Sequence, residues 1–156
     1  MANVLVLFQA DEETTEQLAL AVGVGAVEAG GNIRLRRLTR PGAPEVGHKG
    51  YGVLKAADLE WAETVVVGLE SAEVAEAELG PLLVLLNDAE DGRLTGKRVW
   101  TFHPAFPGEA FTASQVAVLE AASVAGLVLL DLPLDLAETT EERVAVAKTA
   151  GRLCAA

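Results

Sequence analysis

The run Asn3-Val4-Leu5-Val6-Leu7-Phe8 constrains the fold most. It is apolar without alternation, which marks a strand covered on both faces. Gln9 to Glu16 follows as a short polar loop, and then an apolar-periodic run extends from Gln17 to Gly30. Thr14 or Thr15 is placed to cap that helix, and the acids before Gln17 complement its positive end. A strand, a short loop and a helix start together make a cradle for a phosphate when the loop is rich in Gly, Ser and Thr. This loop instead carries Asp11, Glu12 and Glu13.

The same pattern recurs along the chain. Gly30-Gly31 supply a turn, and Asn32 to Leu38 alternates apolar and basic residues as an edge strand does. Its arginines, with Arg40, are expected to face solvent. Thr39 to Gly52 holds two prolines and four glycines and reads as a long loop carrying His48, Lys49 and Tyr51. A short helix at Ala56–Glu63 feeds a buried strand, Thr64–Gly68. A helical run then reaches Asn87, with Pro81 in the first turn of its main part. The polar link Asp88–Gly96 precedes a fourth strand, Lys97–His103. A helix over Thr112–Ala125, a fifth strand over Leu127–Leu132 and a helix over Glu138–Leu153, capped by Thr139 or Thr140, complete the order. Strands alternating with helices predict a single α/β domain over residues 1–156. The expected architecture is a three-layer α/β/α sandwich on a five-stranded parallel sheet of order 2-1-3-4-5.

Charge and composition exclude several functions. With 23 acids and 12 bases the net charge is −11, which opposes nucleic acid and anionic membranes as partners. No apolar run approaches the roughly 18 residues that span a bilayer. The start lacks a cationic leader, and the one cysteine, Cys154, fits a reducing compartment, so a cytoplasmic location is expected.

Several segments carry a resemblance: Val4 to Phe8, Thr15-Glu16-Gln17-Leu18-Ala19, Ala57 to Gly68, and above all Gly92-Arg93-Leu94-Thr95-Gly96-Lys97-Arg98-Val99. In order and spacing the chain resembles the flavodoxin and NAD(P)H:quinone oxidoreductase superfamily over almost its whole length. The long loop before Ala56 is similar to that of the multimeric quinone oxidoreductase branch. The resemblance implies FMN held by three loops, and all three depart from the family's chemistry. The phosphate loop of hydroxyls and glycine is matched by Ala10 to Thr15, where only Thr14 and Thr15 keep a useful group. One like-charge contact near 4 Å costs roughly 4 kcal/mol at an effective dielectric of about 20, so the acids oppose a phosphate. The second loop is Gly68-Leu69-Glu70-Ser71-Ala72, without an aromatic residue. The third is His103-Pro104-Ala105-Phe106-Pro107-Gly108, with its glycine density gone.

The reading that follows is a flavodoxin-like protein with an eroded FMN site and no cofactor, acting as a non-redox binding or oligomeric scaffold module. The alternative is an FMN-dependent NAD(P)H:quinone oxidoreductase or electron-transfer flavoprotein, with Thr14, Thr15, Glu70, Ser71 and His103 lining the flavin. A further alternative is a divalent-cation site built from Asp11, Glu12 and Glu13. The apolar helix Gly80–Asn87 and the family's habit both point to a homo-oligomer, a dimer or tetramer.

Overall fold

The computed structural model describes residues 2–9, 13–38, 51–70, 73, 76–89, 92–103, 111–132 and 138–156. Ten elements follow in order: β1 (Asn3–Gln9), α1 (Glu13–Glu28), β2 (Asn32–Leu38), α2 (Ala56–Trp61), β3 (Thr64–Gly68), α3 (Glu76–Asp88), β4 (Arg98–Phe102), α4 (Ala113–Val124), β5 (Val128–Leu129) and α5 (Thr140–Ala155). The strands form one sheet in the order β2-β1-β3-β4-β5, and every pairing is parallel. This is the expected sandwich. No described helix is long and apolar enough to cross a membrane.

Period-two geometry divides the apolar strands between two layers. Leu5, Leu7, Val65, Val67 and Val99 pack with α2, α3 and α4 around Leu59, Leu79, Leu82, Leu86 and Val118. Val4, Val6, Phe8, Val66, Trp100 and Phe102 face α1 and α5. On that second side the two helices meet backbone to backbone. A Cβ on Gly25 would lie 1.9 Å from the Lys148 carbonyl oxygen, and one on Gly151 would lie 1.9 Å from that of Val22. Small residues, Ala26, Ala147 and Ala150, line the rest of this contact.

The segment Gly92–Val99, the most family-like in the sequence, has structural work. Leu94 is buried, and the Gly96 amide donates to the Gly126 carbonyl at 2.9 Å. Lys97 Nζ donates to the carbonyls of Glu60 and Ala62, closing the end of α2. Gly30 has a φ of 88°, and the Gly31 amide donates back to the Ala26 carbonyl, so the expected glycine turn ends α1.

Four expectations need correction. Helix α1 starts at Glu13 rather than Gln17, so Thr14 and Thr15 lie inside its first turn and neither is its cap. Helix α3 starts at Glu76, and Pro81 lies in its interior. β5 is two residues long, not six, and both are exposed at the sheet edge. An edge strand finds hydrogen-bond partners on one side only, and here they are Lys97 and Val99.

The fourth concerns the arginines. Arg34 and Arg36 do not simply face solvent. Arg34 Nη1 and Arg36 Nε donate to the two oxygens of the buried Asp58 carboxylate at 3.2 and 3.1 Å. The Lys55 amide donates to the same carboxylate at 3.0 Å and so starts α2. Arg34 also lies over the Trp61 ring, 4.3 Å from its centroid. Ile33 and Leu35 pack on the α1 side of this strand and Leu38 enters the other layer, while Arg34 and Arg36 find a buried partner on α2.

Burial alone would raise the Asp58 carboxyl, but the Lys55 amide and the Arg36 and Arg34 guanidiniums bring it below its ordinary value. A carboxyl depressed in the folded state adds stability above its unfolded value of about 3.9, and that stability is lost as pH falls through the lower folded value. Thermal unfolding of the wild type and of Asp58→Asn between pH 7 and pH 3 is therefore expected to show a gap that narrows below about pH 4. A constant gap would contradict this account.

Candidate functional site

In a parallel sheet of this order, the strand ends and the following helix starts converge at one rim. Here that rim is built by Gln9 at the end of β1, Gly68-Leu69-Glu70 after β3, His103 after β4, and the first turns of α1 and α4. The register places Phe8 beside Gly68 and Gly68 beside Phe102, so the three central ends are neighbours. The Leu69 amide donates to the Phe102 carbonyl at 2.9 Å, joining the loops after β3 and β4.

Gln9 is the residue at this rim that the sequence did not single out. It is 3% exposed. Its Oε1 accepts from the Glu70 amide at 3.0 Å, and its Nε2 donates to the Glu78 carboxylate on α3. One carboxamide thereby ties β1, the loop after β3 and α3 together. A second polar group lies beside β4. Gln115 Nε2 donates to the buried Thr101 hydroxyl at 3.1 Å, while its Oε1 accepts from the Thr112 amide at 2.9 Å. The Thr112 side chain accepts from the Gln115 amide, completing a capping box for α4. This network is internally paired and holds the start of α4 against the sheet.

The expected site residues divide as follows. Thr14 is partly buried in the first turn of α1. Thr15, next to it, is fully buried, and among the described residues its hydroxyl has no hydrogen-bond partner. Glu70 is partly buried with its backbone amide held by Gln9. His103 is partly buried just past β4. Glu13 opens α1. Asp11, Glu12 and Ser71 lie outside the described residues, as do His48, Lys49 and Phe106. Tyr51, placed by the sequence on a loop able to cover a ligand, meets Phe8 edge-on with ring centroids 4.9 Å apart. Trp100 and Phe102 are packing residues, 5.7 Å apart within the core. Among the described residues, no group of three or more His, Cys, Asp or Glu is placed to hold a metal ion.

These residues can be tested against a flavin. At α1 they fit: an orphaned buried hydroxyl at a helix start is a donor waiting for an acceptor. At β3 they do not. The Glu70 amide, a donor a ligand would need, is consumed within the protein, and Glu78 sets a carboxylate behind it. None of Phe8, Tyr51, Trp61, Trp100 and Phe102 is an open platform for a planar ring: each packs on another side chain or in the core. Among the described residues, the rim carries the Glu70 and Glu78 carboxyls, one buried hydroxyl without a partner at Thr15, and one exposed aromatic ring, Phe111, next to the start of α4.

No family model matches the chain, and no curated protein sequence does. Solved structures do match. Oxidised flavodoxin 2 from Bacillus cereus has a TM-score of 0.66 at 17% identity, covering 99% of this chain and 98% of its own. The flavodoxin, WrbA-like protein from Agrobacterium tumefaciens gives 0.62 at 16% identity, with 99% and 96% covered. A Fusobacterium nucleatum flavodoxin variant bound to flavin mononucleotide gives 0.56 at 15% identity, with 83% and 68% covered. The sheet order, the flanking helices and these matches agree, and the chain has the flavodoxin-like fold.

Proposed function

We propose that this chain is a flavodoxin-fold binding module whose flavin site has eroded, working without a redox cofactor and assembling as a homo-oligomer, a dimer or tetramer. The observation that carries the reading is Gln9. Its carboxamide takes the Glu70 amide and reaches Glu78, so protein atoms satisfy the donor that the rim would otherwise offer to a flavin. The acids Asp11, Glu12 and Glu13, in sequence from the link after β1 into the first residue of α1, act in the same direction by opposing a phosphate.

The second reading is an FMN-dependent NAD(P)H:quinone oxidoreductase or electron-transfer flavoprotein. The buried, unpartnered hydroxyl of Thr15 favours it, as does the flavin mononucleotide bound to the Fusobacterium flavodoxin variant. In that case Thr14 and Thr15 would serve the phosphate by hydroxyl and helix start, while Gln9 would have to release the Glu70 amide.

An absorbance spectrum of the purified protein across the flavin bands separates the two. The protein is expected to be colourless, and to return all added FMN on desalting. Flavin bands that survive desalting would overturn the first reading and establish the second.

A further inference from the structure

Helix α1 turns an apolar face to solvent. Its outward positions are Gln17, Leu20, Val24 and Val27, and the last three keep 36%, 45% and 52% of their exposure. No residue from Gln17 to Val27 is charged, in a chain with 23 acids and 12 bases. A helix facing only water carries its polar residues on this side. The strip widens towards β2. A Cβ on Gly23 would lie 3.1 and 3.7 Å from the Ile33 and Leu35 side chains, and both are partly exposed beside α1. Val24 and Val27 lie close to the Gly30 turn into β2, at the end of the sheet opposite the rim. On α3, to which the sequence pointed, Leu79, Leu82 and Leu86 are buried and Val84 is the large apolar residue left exposed.

The spacing of the strip and the charges at its ends identify what covers it. The steps from Gln17 to Leu20, Val24 and Val27 are three, four and three residues, the spacing of a seam between two helices. That series reads the same from either end. A second α1 laid antiparallel therefore sets Leu20 of one copy against Val24 of the other, twice about one two-fold axis. The ends match as well. Glu16 stands at the first. At the second, Arg152 donates to Glu28 at 2.6 Å and the charge of Lys148 also reaches that carboxylate, two bases for one acid. Antiparallel alignment brings Glu16 of one copy to the Arg152 end of the other, and the two helix dipoles oppose; parallel alignment does neither. We infer that α1 is the contact of a two-fold dimer, seam to seam with α1 of a second copy of this chain. This rests on the homo-oligomer reading above and names its surface. Residues 17 to 27 span only about 15 Å. The contact is thus smaller than the usual interface of about 800 Å² per partner, and a Kd of about 1–100 µM suits it.

Sedimentation velocity of the full chain from about 1 to about 300 µM tests this. The wild type is expected to pass from one copy to two across that range. Val24→Glu and Leu20→Lys each put a charge into the seam, at exposed positions where folding is not at risk, and circular dichroism should confirm unchanged helix content. Each is expected to weaken association at least about tenfold; in a tetramer, each should leave pairs. Mixed in equal amounts, the two variants are expected to associate again. The introduced charges are of opposite sign and face each other only in the antiparallel register, while the other pair remains Leu20 with Val24. Val84→Glu, on α3, should associate as the wild type does. The inference is overturned, with the homo-oligomer reading intact, by any of three results. These are normal association of Val24→Glu, a mixture that stays dissociated, or dissociation of Val84→Glu. A wild type that stays monomeric throughout overturns both.

Discussion

Replacing Gly25 or Gly151 with alanine is expected to cost roughly 3 kcal/mol or more of stability, and valine at either place to prevent folding. Both glycines are buried where α1 and α5 touch through their backbones, and the first atom of any side chain would sit 1.9 Å from an opposing carbonyl oxygen. Repacking cannot relieve such a clash, since the obstacle is main chain held in a helix. The helices would have to separate, opening the layer that covers Val4, Val6, Val66 and Trp100. Gly80 on α3 is the control, because a Cβ there meets nothing within 4 Å. Gly80→Ala should be neutral or stabilising by up to about 1 kcal/mol, through helix propensity alone. Urea unfolding of the three alanine variants checks this. A Gly25→Ala midpoint close to that of Gly80→Ala would show that the helices yield more easily than their contact implies.

Asp58→Asn carries the second large effect, a loss of about 2–4 kcal/mol at pH 7. The carboxylate is 3% exposed as a residue, and three donors converge on it. Asparagine keeps the volume but loses the charge, and its amide end presents hydrogens to a guanidinium. Arg34 and Arg36 are then left partly desolvated without an anion, and the single carboxamide oxygen must serve the Lys55 amide and the guanidiniums together. The Arg34 and Arg36 side chains keep 36% and 27% of their exposure, which places the cost below that of a fully buried pair. Arg34→Lys is expected to cost far less, since Arg36 still holds the carboxylate. Denaturant midpoints compared at constant slope measure both.

Elements were legible where a local pattern was dictated by burial. Strands covered on both sides show unbroken apolar runs, so β1, β3 and β4 could be read to within one or two residues. The α5 cap could be narrowed to Thr139 or Thr140 from side-chain chemistry, and it is Thr139. Helix α1 was misjudged at its start because two threonines after a run of acids look like caps, yet the helix continues through them. The rim was the least legible part. Gln9 is one polar residue at the end of an apolar run, and its two partners lie 61 and 69 positions away. No spacing rule announces such a group; only the crossover from β1 to β3, which sets their ends side by side, does so. Asp58 was hidden for the same reason: it sits three residues after Lys55 as an ordinary helix-start acid, and its arginines come from β2, more than 20 residues earlier.

The close seating of α1 on α5 has a bearing on how this protein is made. α1 spans residues 13–28 and α5 spans residues 140–155, so α1 leaves the ribosome long before the helix it packs against. At a synthesis rate of about 5–20 residues per second, that interval lasts roughly 5 to 20 s. During it the side of the sheet bearing Val66, Trp100 and Phe102 has α1 but not α5 over it. The other side, covered by α2, α3 and α4, can close as each helix emerges. The nascent chain thus passes through a half-roofed stage, and that is when a chaperone or a neighbouring copy would meet it.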